Sequence, residues 1–382
     1  MNPSDFLAEA PGRLIRARGG YFAFVPDPLP PALTASWSMS SAISEAERSL
    51  AHLGRVLTGL PSAELLVAPF VRREAVLSSR IEGTRASLAE LLEVEAGRAE
   101  REGSDVREVA NYVAALNHGI KRLQTLPMSL RFIRELHALL LKGAGGHLTP
   151  GEFRHTQSWI GNPGSTLATS TFVPPPPEEM LRALADLESF LHAPSELPAL
   201  VRLGLIHYQF ETIHPFLDGN GRIGRLLVTI LLRADGLVPA PVPYFSAFID
   251  RRRTDYYRLL LSVSQRRDWV AWLEFFLSAL ATEARDAARR GEALLELRSR
   301  HRAVVGGSRA TRTLEAGIDL LFSAPIQTIA SLRHSLGVSN RTAQLTAARL
   351  VELGLLEEST GRRRGRMFVA REILELLEAE TF

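Results

Sequence analysis

The sequence predicts a mainly α-helical protein with one small β-hairpin near its middle and a helix–turn–helix plus basic hairpin at its end. Three observations carry that class. Helical periodicity dominates from about Ser41 to Gly103 and again over most of the later chain. The texture changes only between Gly143 and Pro177, where Gly, Pro, Ser and Thr are dense. From about Gly317, two short helical runs flank the turn Leu336-Gly337-Val338-Ser339, and Gly361-Arg362-Arg363-Arg364-Gly365-Arg366 leads into the strand-like Met367-Phe368-Val369.

Taken in order, residues 1–40 read as irregular, because Pro26, Pro28, Pro30 and Pro31 block a helix. A second helical stretch covers about Val106–Leu126, and Pro127 opens another through Ser129–Leu141. Ser170-Thr171-Phe172-Val173, followed by Pro174 to Pro177, reads as a short strand in an extended loop or hairpin. Helices resume at Pro177, and Trp269–Leu297 is a long amphipathic one. With 382 residues the chain has room for two or three domains. The absence of cysteine excludes disulfides and thiolate metal sites, and the N-terminus lacks a signal peptide, so a cytoplasmic protein is expected. No apolar run reaches membrane-spanning length. The net charge of +3 does not by itself argue for nucleic acid, and no lysine precedes Ser or Thr in a phosphate-loop motif.

The most informative stretch is His214-Pro215-Phe216-Leu217-Asp218-Gly219-Asn220-Gly221-Arg222-Ile223-Gly224-Arg225, which runs into the apolar helix Leu226–Leu232. The Gly219-Asn220-Gly221 turn would present backbone N–H groups at a helix N-terminus, where anions bind. Arg222 and Arg225 share a face of the first turn, where the helix dipole disfavours cations unless an anion lies between. A polyphosphate fits that description. Asp218 is a hard oxygen ligand suited to Mg²⁺, and His214 has the ordinary pKa of a general base. Three other readings fit parts of the stretch. Gly219-x-Gly221-x-x-Gly224 matches the dinucleotide fingerprint, but that motif requires a preceding strand and Leu200–Phe210 is helical. Asp218-x-Asn220-x-Arg222 imitates a calcium loop, yet Arg at the fifth position and the missing closing Glu oppose it. A structural glycine turn would not require His, Asp and two Arg together.

The stretch resembles the signature of Fic-domain proteins, H-P-F-x-[DE]-G-N-G-R-x-x-R, at every fixed position. The resemblance implies an adenylyltransferase that moves AMP from ATP to a Ser, Thr or Tyr hydroxyl of a target protein, itself included. It assigns His214 as base, Asp218 as Mg²⁺ ligand, and Phe216, Gly219, Asn220, Gly221, Arg222 and Arg225 to the nucleotide, with Arg225 on the γ-phosphate. Gly151-Glu152-Phe153-Arg154-His155-Thr156-Gln157-Ser158-Trp159-Ile160-Gly161 is similar to the family's G-x-F-R…Q-x-W-I-G segment. Thr171, Phe172 and Val173 are similar to its target-docking flap, whose edge would hold a peptide in extended form. Tyr244–Tyr257 resembles a further family segment, with Arg252 in place of the usual Asn and Phe248 in place of a Tyr. Arg252 is therefore expected either to contact the nucleotide in its own way or to lie exposed.

Ser78-Ser79-Arg80-Ile81-Glu82-Gly83 resembles the inhibitory motif [ST]-x-x-x-E-[GN], with Gly83 a C-cap and Ser78 and Glu82 on one face. The resemblance implies that Glu82 pairs with Arg225, because a carboxylate and a γ-phosphate cannot share one guanidinium fork. The C-terminal segment looks like a winged helix-turn-helix, with Ser339 as N-cap, Asn340, Arg341 and Gln344 on the recognition helix, and Arg362 to Arg366 on the wing. DNA, or a protein partner such as a second copy of the chain, is expected there. The organisation expected is an N-terminal helical region at 1–127, a Fic core at 128–278, a linking helix at 279–316 and the winged domain at 317–382. The rival function is a nucleotide-sensing DNA-binding regulator without turnover, which the intact His214 and Asp218 oppose. AMP addition and AMP removal are not separated by sequence.

Overall fold

The computed structural model of the chain describes residues 1–17, 19–58, 63–100, 104–143, 148–162, 164–242, 245–305, 309–361 and 365–379. In chain order these form β1 (Gly12–Arg16), β2 (Phe22–Pro26), α1 (Trp37–Thr58), α2 (Ala63–Ile81), α3 (Leu88–Glu95), α4 (Val106–Arg122) and α5 (Leu130–Leu140). There follow α6 (Pro177–His192), α7 (Ala199–Ile213), α8 (Asn220–Ala234), α9 (Ser246–Arg251), α10 (Arg253–Arg266) and α11 (Trp269–Ala303). The C-terminal elements are α12 (Arg309–Ser323), β3 (Ile326–Thr328), α13 (Ile329–Leu336), α14 (Asn340–Glu352), β4 (Glu357–Glu358), β5 (Met367–Val369) and α15 (Arg371–Glu378). The mainly helical class holds. No helix among the described residues is long and apolar enough to cross a membrane.

Polar caps fix many of the helix starts. Ser129 Oγ accepts from Phe132 N–H at the start of α5, and Ser87 with Glu90 forms a capping box on α3. Two expectations about the non-helical parts change. Residues 1–40 are not wholly irregular, since β1 and β2 pair antiparallel from Gly12↔Pro26 to Arg16↔Phe22. Pairing with β1 makes the short apolar run Phe22–Val25 a strand, which ends at Pro26. The flap strand, by contrast, shrinks to one antiparallel bridge between Ile160 and Phe172.

The chain divides into two compact units that cut across the expected boundaries. One comprises residues 1–49, 114–237 and 245–283, and the other residues 50–113, 238–244 and 284–382. Helices α1, α4 and α11 each contribute residues to both. The N-terminal helices therefore fold together with the C-terminal module instead of forming a separate region.

In the first unit α7 is buried on nearly every side, as a helix apolar all round must be. Gly204 lets α11 approach it: a Cβ there would meet Leu273 at 2.9 Å, and Trp272 Nε1–H donates to the Gly204 carbonyl at 3.0 Å. In the second unit α12 and α15 pack on α2. Arg290 is fully buried, grips Asp286 at 2.6 and 3.2 Å, and donates to the carbonyls of Leu376 and Ala379 at 2.6 Å each. A cation at the C-terminus of α15 complements the helix dipole. The C-terminal sheet is antiparallel in the order β3-β5-β4.

Candidate nucleotide site

The loop between α7 and α8 is assembled by contacts that the sequence does not announce. Helix α7 ends at His214, whose backbone is left-handed (φ 49°), and Pro215 supplies no N–H to continue it. A non-glycine residue in that region is strained and needs support from its surroundings. Arg154 supplies it. Its guanidinium, 1% exposed, donates from Nε to the His214 carbonyl at 2.9 Å and reaches the carbonyls of Thr156, Pro175 and Ile213. Four carbonyls and the negative end of α7 thus hold a buried cation, and desolvation lowers its pKa to about 10, so it remains charged at neutral pH.

Beyond Pro215 the backbone is held at two points. The Asn220 side chain accepts from Phe216 N–H at 2.9 Å and donates to the Phe216 carbonyl at 2.9 Å. Phe216 is fully buried and stacks on His137, with ring centroids 3.7 Å apart, and also meets Phe153. His137 Nδ1 accepts from Gly151 N–H at 2.9 Å, which leaves its Nε2–H to donate to the Asp218 carbonyl at 3.0 Å. The Phe216 side chain is thus a core anchor, and the Asn220 side-chain amide bonds both backbone groups of Phe216.

Asn220→Ala should remove both bonds and cost about 1–3 kcal/mol. Urea denaturation measures this, and an unchanged midpoint would show that the loop is held otherwise.

Gly219 takes a left-handed conformation (φ 78°) against Leu140 and His137, and α8 starts after it with no side-chain cap. Helix α8 thus begins at Asn220, Gly221 and Arg222 with no cap bond from Gly219, at the positive end of the helix dipole. Asp218 is about half exposed and accepts from Arg222 Nη2 at 3.0 Å. Arg222 is 3% and Arg225 1% exposed. Gly224 permits the Glu211 carboxylate to lie on α8, since a Cβ there would fall 2.1 Å from Glu211 Oε1. His207 fixes the other side: its Nδ1–H donates to the Gly224 carbonyl at 3.1 Å, and its Nε2 accepts from Tyr256 Oη–H at 2.8 Å.

Burial, the main cause in each case, lowers His137 to about 4 and His207 to about 3. In the unfolded chain both titrate near 6.5. As pH falls below about 6.5 the unfolded state binds protons that the folded state refuses, so the stability each neutral ring contributes is full above that value. It declines toward about 4 and about 3, at about 1.4 kcal/mol per pH unit per histidine. Urea midpoints should therefore drop between pH 6.5 and 5, above the usual carboxylate range, and a flat profile there would contradict the two neutral rings.

Arg252, at the junction of α9 and α10, is exposed and lies over the buried Phe248 ring, 4.9 Å from its centroid. The two departures from the family pattern thus touch each other in a cation–π contact. Tyr244 lies outside the described residues. In the flap, Thr171 is exposed while Phe172 and Val173 are buried, and the Val173 carbonyl accepts from Phe24 N–H at 2.9 Å. That part of the expected docking edge is already taken by β2.

At the end of α2, Gly83 (φ 104°) accepts the C-cap role: its N–H donates to the Arg80 carbonyl at 3.1 Å, and Thr84 N–H donates to that of Ser79 at 3.2 Å. Ser78 is fully buried and Glu82 exposed. Helix α2 ends at Ile81, one residue before Glu82.

His137 and Arg154 are the positioning residues that motif reading left without a role. A histidine on the buried stripe of α5, and an arginine in a glycine-led segment, were the available signals.

Residues 40–121 match the N-terminal domain of the Fic/DOC family and residues 127–232 the Fic/DOC family itself. Protein adenylyltransferase Fic of Drosophila grimshawi is 32% identical over 190 residues, which cover 47% of this chain and 35% of the fly protein. The Drosophila virilis protein of that name gives the same identity and coverage. The chain thus spans about a third of the length of the curated relatives it matches. Among solved structures, a Fic family protein from Desulfovibrio desulfuricans G20 superposes with a TM-score of 0.58 at 22% identity, over 90% of this chain and 98% of that one. A fragment of Fic-1 from C. elegans gives 0.51 at 24% identity, over 66% of this chain and 73% of the fragment. At those identities the likeness concerns the fold. With both family domains, the unbroken signature and the shared architecture in one chain, residues 40–121 and 127–232 of this protein belong to the Fic/DOC family.

Proposed function

We propose that the chain is a protein adenylyltransferase that transfers AMP from ATP to a hydroxyl side chain of a target protein and is restrained by Glu82. The single observation that carries the reading is the α7–α8 junction, where His214 is held at a helix end facing an uncapped helix N-terminus. The names of the curated relatives support the same chemistry.

In this reading the N–H groups of Gly219, Asn220 and Gly221 and the guanidinium of Arg222 receive the α- and β-phosphates, with Arg225 on the γ-phosphate. His214 takes the proton of a Ser, Thr or Tyr hydroxyl. The hydroxyl oxygen bonds to the α-phosphorus while the bond to the β-phosphate oxygen breaks, and pyrophosphate leaves with the electron pair. Positioning and electrostatics supply most of the rate, as phosphoryl transfers generally require. The donor set suits Mg²⁺: Asp218 offers one half-exposed carboxylate, and among the described residues no cluster of three or more His, Cys, Asp or Glu could hold a metal ion. Mg²⁺ takes one or two carboxylates plus phosphate oxygens, and when bound it neutralises phosphate charge. Arg252 meets the nucleotide through the face or edge of its guanidinium, held on Phe248. The exposed Thr171 end of the flap receives the target segment.

The burial of Arg225 supports a restrained resting state. The same groups serve AMP removal when water bonds to the phosphorus of an AMP-bearing side chain, the bond to the side-chain oxygen breaks, and that oxygen leaves as the hydroxyl with a proton from His214. The chain itself and a second copy of it are the nearest hydroxyl-bearing targets. Incubation of the wild type and Glu82→Gly with labelled ATP and a cell lysate, followed by mass spectrometry, tests the reading. A protein bearing AMP on a hydroxyl is expected. ATP binding without pyrophosphate release from either form would replace it with a nucleotide-sensing role.

A further inference from the structure

We propose that the C-terminal module binds double-stranded DNA, with α14 in the major groove and the β4–β5 hairpin on the phosphates. Helices α13 and α14 are joined by a tight turn in which Gly337 is left-handed (φ 64°) and Ser339 caps α14. Ala343, Thr346, Ala347 and Leu350 bury one side of α14, and Gly317 of α12 lies close against Thr346 and Leu350. The opposite side exposes Asn340, Arg341, Gln344, Leu345 and Ala348. Asn, Gln and Arg are the side chains that read base edges, Leu345 suits a thymine methyl, and Ala348 permits close approach. Asn340, Arg341, Gln344 and Leu345 occupy the amino-terminal half of the second helix of a helix–turn–helix, the half that meets bases.

Charge is distributed to match. Every charged residue from Leu320 to Val351 is basic (Arg333, Arg341 and Arg349), and the same holds from Ser359 to Arg371. Arg362, Arg363 and Arg364 lie outside the described residues, but Arg366 is exposed and rests on the Phe368 ring at 5.5 Å. Five of the module's acidic groups meet cations, among them Glu352 with Arg349 at 2.9 Å and Glu358 with Arg366 at 3.8 Å. Asp319 meets Arg298 and Arg302, Glu357 meets Arg371, and Glu372 meets Arg300 and His301. Helices α12 and α15, which carry several of them, pack on α2. Within the module the exposed Asn340, Arg341, Gln344, Leu345 and Ala348 side of α14 carries no acidic residue, while on the hairpin Arg366 lies 3.8 Å from Glu358. B-form DNA fits better than duplex RNA, whose narrow major groove does not admit a helix.

The test uses the full-length protein and a pool of DNA duplexes with a randomised centre, selected by electrophoretic shift and then measured by anisotropy at two salt concentrations. Enrichment of a short sequence is expected, with affinity falling steeply as salt rises. Arg341→Ala combined with Gln344→Ala should weaken the selected duplex tenfold or more while leaving random duplex within about twofold. Arg366→Ala should weaken both alike and flatten the salt slope. Circular dichroism confirms that each variant folds. No duplex binding at low salt would overturn the proposal, as would enriched binding indifferent to Arg341 and Gln344. Conversion of a dimer to a monomer by Leu345→Glu, without DNA binding, would reassign the α14 face to a protein partner.

Discussion

His214→Ala should reduce AMP transfer by roughly a hundredfold to ten-thousandfold while ATP binding persists. An imidazole is the kind of side chain suited to take a hydroxyl proton, and the His214 backbone is fixed by the Arg154 contact at 2.9 Å. The N–H groups proposed to receive the phosphates belong to the next helix and do not depend on the imidazole. Binding and turnover should therefore separate, which measurement of ATP affinity beside pyrophosphate release will show. Retained turnover in a folded variant would falsify the role of His214.

Glu82→Gly should raise AMP incorporation by about tenfold or more, equivalent to about 1.4 kcal/mol of barrier. A guanidinium that holds a carboxylate cannot at the same moment hold a phosphate in the same fork, so removing the carboxylate favours productive seating of the triphosphate. Glu82 is exposed and follows the last turn of α2, so the fold should tolerate its loss. Glycine next to Gly83 loosens that helix end, and Glu82→Ala provides the control: both variants should be activated if the carboxylate is the brake. Activation by glycine alone would point to a looser helix end, and activation by neither would dismiss Glu82. Two contacts show how firmly α2 is anchored in its unit: Arg72 donates to the Ser323 carbonyl at 3.3 Å and pairs with Glu95 at 2.6 Å.

Sequence made the helices legible because their starts are local. Ser129, Ser87 and Ser339 each accept from a backbone N–H three residues on, and an apolar stripe follows every cap. The first hairpin was missed because a five-residue strand ending in Pro26 looks, by composition, like a loop. What makes it a strand is pairing with Gly12–Arg16 and the Phe24 bond to Val173, neither of which is local. The flap failed in the opposite direction: its composition suits a strand, but only Ile160 and Phe172 come into register.

At the site, the sequence by itself determined the chemistry on offer: an imidazole, a carboxylate, a glycine turn and two arginines inside twelve residues, spaced for a helix entry. Side-chain type and short spacing set those properties. Tertiary structure alone decided which groups stay available. It buried Phe216 on His137, occupied the Asn220 amide, and placed Arg154 under the strained His214 backbone. It also joined residues 50–113 to residues 284–382 in one unit. The reason is that burial and hydrogen-bond partners are set by segments far apart in the chain, and periodicity records which face of a helix is apolar without recording what covers it.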